Sequence, residues 1–229
     1  MNYGARIAAE LSSCLCPPAP QIAFAARLDA VSAHLDGDFG RAALLISEAN
    51  LDEIRRWTEG LWGKRSQCVR PRMLANSPPH LPLAERVPVR MPSLVERQRL
   101  ELRDGLHCMF CGIPLIRKEI RERIRKSYPT IWGRKNVDQH AAFQAMWLQY
   151  DHVLPHARGG DNRFEKLVIT CAPCNYARMD FTLDELGLRD PRDRDPIRSS
   201  WDGLERFPRL DAPRRPGPHT AKPILNRES

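Results

Sequence analysis

The stretch LQYDHVLPHARGGDNRFEKLVITCAPCNYARMD, residues 148–180, decides the fold. Leu148 to Leu154 is β-prone and stops at Pro155, which has no amide hydrogen to give a ladder. Arg158-Gly159-Gly160-Asp161-Asn162 has the composition of a loop, and Leu167 to Thr170 reads as a second short strand. A helix is due to begin near Cys171 or Ala172. The predicted order is strand, loop, strand, helix.

Cysteines frame this unit. HCMFCG at 107–112 and TCAPCN at 170–175 each place two thiols three residues apart, with Gly112 and Pro173 suited to tight turns. Two such turns facing each other supply Cys108, Cys111, Cys171 and Cys174 to one tetrahedral Zn2+, a structural site because four thiolates leave no open position. The competing readings are two unrelated thiol pairs or a redox CxxC. The 59 residues between Cys111 and Cys171 must form structure of their own and return. Cys14, Cys16 and Cys68 are read as free or packed thiols.

The pattern DHxxPxxxGG followed by LVxxCxxCNxxR resembles the HNH endonuclease superfamily, in its Asp-His…Asn form with a four-cysteine zinc knuckle. The resemblance covers roughly residues 105–190. It implies an α+β chain with a small ββα-metal core and a metal-dependent DNA endonuclease leaving 5′-phosphate and 3′-hydroxyl ends. By position it makes Asp151 and Asn175 ligands of a catalytic Mg2+ or Mn2+, and His152 the general base. The chemistry is coherent. A hard cation takes carboxylate and amide oxygens and keeps sites for water and phosphate, and neutral imidazole accepts a proton near neutral pH. Arg178, one helical turn after Asn175, is expected to bind the phosphate. Many family members carry Asn before the Leu that opens the second strand, bracing the loop of the catalytic His. Here Lys166 stands there, so either another group such as Asn162 braces the loop or Lys166 lies near the DNA. A non-catalytic, zinc-stabilised nucleic-acid-binding module is the alternative to the enzyme, and a partner-binding zinc protein is a third reading.

The insert IRKEIRERIRKSYP (116–129) spaces Ile116, Ile120 and Ile124 by four, one buried stripe. Arg117, Lys118, Arg121, Arg125 and Lys126 are assigned to its other faces, interrupted by Glu119 and Glu122. Two readings stand: a solvated face with intrahelical pairs, or a phosphate-contacting helix in which Arg121, Arg125 and Lys126 hold DNA, aided by Lys166, Arg134 and Lys135. No aromatic stacking platform is evident, which favours duplex or nicked DNA over single strands.

Upstream, Ser93 caps a helix ended by Gly105, in which Val95 and Leu102 share a face. Residues 66–92 carry six prolines and read as a linker or as an arm wrapped on the next domain. Residues 1–65 read as a helical accessory region, with helices over Ile22 to Leu35, where Phe24 and Leu28 open the stripe, and over Leu51 to Leu61. From 191 to 229 the chain is an irregular Pro/Arg-rich tail. Within it Trp201, Leu204 and Phe207 are placed to dock, and residues beyond Arg209 are expected to be flexible.

The bulk numbers agree. A formal charge of +8, from 36 Lys and Arg against 28 Asp and Glu, favours a polyanionic partner. No apolar window is long enough to cross a membrane. Seven cysteines, an odd count, with no charged and apolar leader at MNYGARIAAELSSCLCPPAP, argue against a disulfide framework and for the cytoplasm.

Overall fold

A computed structural model describes residues 29–62, 66, 68–88, 91–133 and 135–207. The helix start at Ile22 with Phe24 and Leu28, Cys14, Cys16, Arg134, and the tail beyond Arg209 lie outside these residues. In chain order, helical residues 29–35 are followed by α1 (Phe39–Glu48), α2 (Asp52–Gly60), α3 (Leu94–Asp104), α4 (Lys118–Ser127), α5 (Ala141–Ala145), β1 (Leu148–His152), β2 (Leu167–Cys171), α6 (Ala172–Arg178) and α7 (Leu183–Leu186). The chain is therefore a mixed α+β protein whose one sheet, among the described residues, is a two-stranded antiparallel hairpin.

The hairpin register pairs Leu148 with Cys171 and His152 with Leu167. Every residue of β2 is buried, whereas β1 buries only Leu148. β2 is thus the inner strand, and β1 offers partly open side chains, Asp151 and His152 among them. α6 follows β2 without a break because Cys171 is both the last strand residue and the helix N-cap. α3 starts on a reciprocal Ser93–Glu96 capping box and ends at Gly105, whose φ of 72° suits a residue without Cβ. Its buried side chains are Leu100 and Asp104, while Val95 and Leu102 share the outer face. The Asp104 carboxylate accepts the Ile169 amide at 3.0 Å, which fastens α3 to β2.

Three packed clusters hold the molecule together. One surrounds the hairpin and the cysteines and takes in Leu100, Leu115, Val168 and Leu186. The second packs Val31, Ala42 and Ile46 from the N-terminal helices against Ile116, Ile120 and Ile124, with Leu204 and Phe207 from the far end. The third seats Ile54 of α2 on Ala141, Ala142 and Ala145. The isoleucine stripe is buried as its spacing predicts, and the residues on either side of it supply the apolar faces that cover it. Trp201 donates its indole N–H to the Leu115 carbonyl, so the start of the Pro/Arg-rich tail docks.

Residues 68–88 form an extended arm with one 3₁₀ turn at Leu83–Glu85. The arm lies on the hairpin unit. Arg72 N donates to Glu185 O, Leu81 N donates to Ala157 O at 2.9 Å, and His80 Nε2 lies 2.7 Å from Asp180 Oδ2.

Candidate functional site

The first cysteine pair sits on a turn closed by Gly112 N donating to Cys108 O, with Gly112 at a φ of 80°. Met109 N donates to Ile169 O, so this turn stacks on β2. The second pair spans the β2–α6 junction. In each turn the second cysteine's amide points at the first one's sulfur, Cys111 N to Cys108 Sγ at 3.5 Å and Cys174 N to Cys171 Sγ at 3.4 Å. The four sulfurs lie within 4.8 Å of one another, and Cys111 Sγ is 3.7 Å from Cys171 Sγ. A tetrahedral zinc with Zn–S bonds of about 2.3 Å needs sulfurs about 3.8 Å apart. The cluster is positioned to hold a metal and is consistent with a zinc knuckle.

The electrostatics point the same way. Burial opposes a thiolate at Cys108, but hydrogen bonds from the other three thiols outweigh it and hold Cys108 well below the ordinary thiol range. Burial, Cys108 and Cys111 push Cys171 well above it against an opposing hydrogen bond with Cys174, and at Cys174 the neighbouring thiols are the larger cause. One negative charge is accommodated and a second is resisted. A divalent cation removes that conflict and lets all four ionise.

Beside this centre the hairpin presents Asp151 and His152, and α6 presents Asn175 and Arg178. Arg178 reaches back to β1: Nη1 donates to Asp151 Oδ2, and Nη2 donates to the carbonyls of His152 (3.2 Å) and Val153 (3.0 Å). The face of α6 that carries Asn175 and Arg178 is therefore turned toward the end of β1. The Asp151 carboxyl is lifted above the ordinary carboxylate range by burial, with Arg178 and His152 opposing the rise. Asn175 is half-buried, and its side chain makes no hydrogen bond among the described residues.

His152 Nε2 lies 3.1 Å from Asn162 Oδ1. The reading of the sequence passed over Asn162 as a site residue, naming it only as one substitute brace where Lys166 replaces the usual Asn. The signal was the turn around it. A Cβ at Gly160 would collide with the Leu154 carbonyl, so this position requires glycine and folds the loop back on the end of β1. Lys166 contributes its backbone, accepting Val153 N at 2.9 Å, and its side chain is partly exposed.

No protein-family model, curated protein or solved structure matches the chain.

Several basic residues sit differently from their sequence assignment. Arg178 is 1% exposed and packs over the Phe110 ring, so it braces Asp151 and does not face a phosphate. Arg121 is 5% exposed, donates to Phe143 O and Gln144 Oε1, and lies over the rings of Trp132 and Trp147. Burial draws it down to about 10. A helix with isoleucines on one side and α5 on another has a second inner face, and Arg121 occupies it. Arg125 is clasped by Glu122 in an i, i+3 pair, and Arg117 by Glu205. Lys118, Lys126 and Lys135 are exposed. Arg158, read only as loop, forms a buried ion pair with Glu185.

Proposed function

We propose that this chain is a metal-dependent DNA endonuclease of the HNH type, with His152 as general base and Asp151 and Asn175 as ligands of one Mg2+ or Mn2+. The observation that supports the reading is that Asp151 and His152 end a strand held by Arg178, which stands on the same helix as Asn175 and follows the second cysteine pair of the four-thiol cluster. The donor set fits a hard cation, since it consists of one carboxylate and one amide oxygen free of internal hydrogen bonds. When bound, the cation offsets charge on the phosphate and the departing 3′ oxygen. Asp151 is held by Arg178 and by the His152 backbone amide, so its carboxylate is fixed in place. His152, oriented by Asn162, takes the proton of the attacking water. Exposed Lys126 and partly exposed Lys166, with the net charge of +8, suit duplex or nicked DNA. Four-thiolate zinc binding suits a reducing compartment such as the cytoplasm. No helix among the described residues is long and apolar enough to cross a membrane.

A second reading, a DNA-binding module without cleavage, is favoured by the Asp151–Arg178 contact, because Arg178 already compensates the charge a cation needs. Nicking of supercoiled plasmid by zinc-loaded protein, with EDTA, Mg2+ or Mn2+, separates the two. Cleavage is expected to require added Mg2+ or Mn2+ and to vanish in His152→Ala, with plasmid affinity retained. Binding without nicking in every condition establishes the second reading, and full cleavage by His152→Ala removes His152 as the base.

A further inference from the structure

Two hydrogen bonds of Asn162 connect the candidate base to the Pro-rich arm. Asn162 Nδ2 donates to the Pro88 carbonyl at 2.9 Å, and Asn162 Oδ1 faces His152 Nε2 at 3.1 Å. We propose that the arm selects the tautomer of His152 with hydrogen on Nε2 through this amide, with the Pro88 carbonyl as the fixed end of the relay. The inference rests on the reading of His152 as the base.

A backbone carbonyl can only accept, so the Asn162 NH2 must turn toward Pro88. The other end of the amide, Oδ1, is then the end presented to His152. It too can only accept, so Nε2 must carry the hydrogen. A neutral imidazole with hydrogen on Nε2 has its lone pair on Nδ1. Nδ1 has no hydrogen-bond partner among the described residues and is the nitrogen left to meet water. With Pro88 withdrawn, the amide is free to turn over and offer NH2 to Nε2. The ring then holds its hydrogen on Nδ1 and cannot accept a proton there. Asn162 is thus a positioning residue whose orientation is decided by the arm.

The arm is held for this role by contacts to the same loop. Leu81 N donates to Ala157 O, Arg158 donates to Pro78 O, and His156 Nε2 pairs with Val87 O. His80 adds its contact to Asp180. Extended, proline-rich chain suits the task, because its carbonyls are not consumed by a helix or a ladder.

The test uses the full zinc-loaded chain and reads the His152 tautomer by imidazole 15N shifts, at a pH raised until those shifts stop changing. The resonances are assigned by their loss in His152→Gln, and plasmid nicking is followed in parallel. The parent is expected to show hydrogen on Nε2. Leu81→Pro removes the Leu81 N–H and loosens the arm. It is expected to give a tautomer mixture and a drop in nicking of about tenfold, the lower end of losses from removing such supporting partners. Adding Asn162→Asp to Leu81→Pro supplies an acceptor that cannot turn over, and it is expected to restore both hydrogen on Nε2 and most of the nicking. Should Leu81→Pro misfold, His80→Ala loosens the same arm without a backbone change and is expected to move both readouts the same way, less far. A tautomer that ignores the arm, a double variant that is not rescued, or faster nicking on loosening the arm overturns the proposal. A tautomer that responds in a protein that never nicks keeps the relay and removes the nuclease reading.

Discussion

The guanidinium of Arg178 lies between two kinds of oxygen, the Asp151 carboxylate and the carbonyls of His152 and Val153, with the Phe110 ring 4.8 Å from its central carbon. A planar fork of donors can serve all three at once, and a lysine ammonium cannot. Removing it leaves Asp151 buried without its counter-charge, in a site where burial already lifts the carboxyl. Arg178→Ala is therefore expected to cost about 3–5 kcal/mol, read from urea unfolding of the zinc-loaded protein, and Arg178→Lys is expected to recover little of it. A variant that unfolds like the parent but has lost DNA affinity would return Arg178 to the phosphate-facing role its spacing suggests. The spacing was legible and the direction was not. Residues three apart on a helix share a face, but whether that face meets solvent depends on which strand end lies across from it. Arg121 differs from its assignment for the same reason, since nothing local to 116–129 announces that Trp132, Phe143 and Trp147 return to cover it.

Local chemistry is strong in the hairpin, α6 and α3, and these elements could be read from the sequence. Pro155 ends the first strand, Cys171 hands β2 to α6, and Ser93, Glu96 and Gly105 fix both ends of α3. α1 went unread. Only Ala42 and Ile46 of its residues are buried, too thin a stripe for periodicity to catch, although Asp38 caps it by accepting Arg41 N. Among these elements the β2–α6 junction concentrates several roles in one residue, because Cys171 is at once strand end, helix cap and one of four thiols positioned to hold a metal. Cys171→Ser is expected to lose bound zinc and to lower the melting temperature, and EDTA on the parent is expected to lower it comparably. Metal analysis and thermal melts check both. A variant that keeps one zinc per chain, or melts like the parent without it, would show that the four thiols do not act as a structural metal centre.

Over the whole molecule, both ends of the described chain fold onto the segment between the two cysteine pairs. His34, from the N-terminal helical segment, stacks on Phe207 with centroids 4.1 Å apart and bonds the Tyr128 hydroxyl at 2.8 Å. The arm meets the hairpin unit where His80 bonds Asp180 and where Arg158, paired with Glu185, donates to the Pro78 carbonyl; at the start of the tail Arg192, paired with Asp190, donates to the Glu165 carbonyl. All three carboxyls lie below their ordinary range. Arg192 is the largest cause at Asp190. At Asp180 and Glu185 burial acts against the shift and is outweighed, by His80 in the first case and by the Thr182 amide, Ser77 and Arg158 in the second. A carboxyl depressed by folding adds stability that is complete above its unfolded value, about 3.9 for Asp and 4.3 for Glu, and that is lost as pH falls through the folded value. Urea midpoints are therefore expected to fall from about pH 5 downward, with protease cuts appearing in residues 68–88 first. Zinc affinity also weakens in acid, so the decisive quantity is the gap between the parent and Glu185→Gln. That variant can keep the Thr182 capping hydrogen bond and lacks the negative charge that faces Arg158. The gap is expected to be widest near neutral pH and to close in acid. Parallel curves would mean that the Arg158–Glu185 pair gives the docked arm no charge-dependent stability.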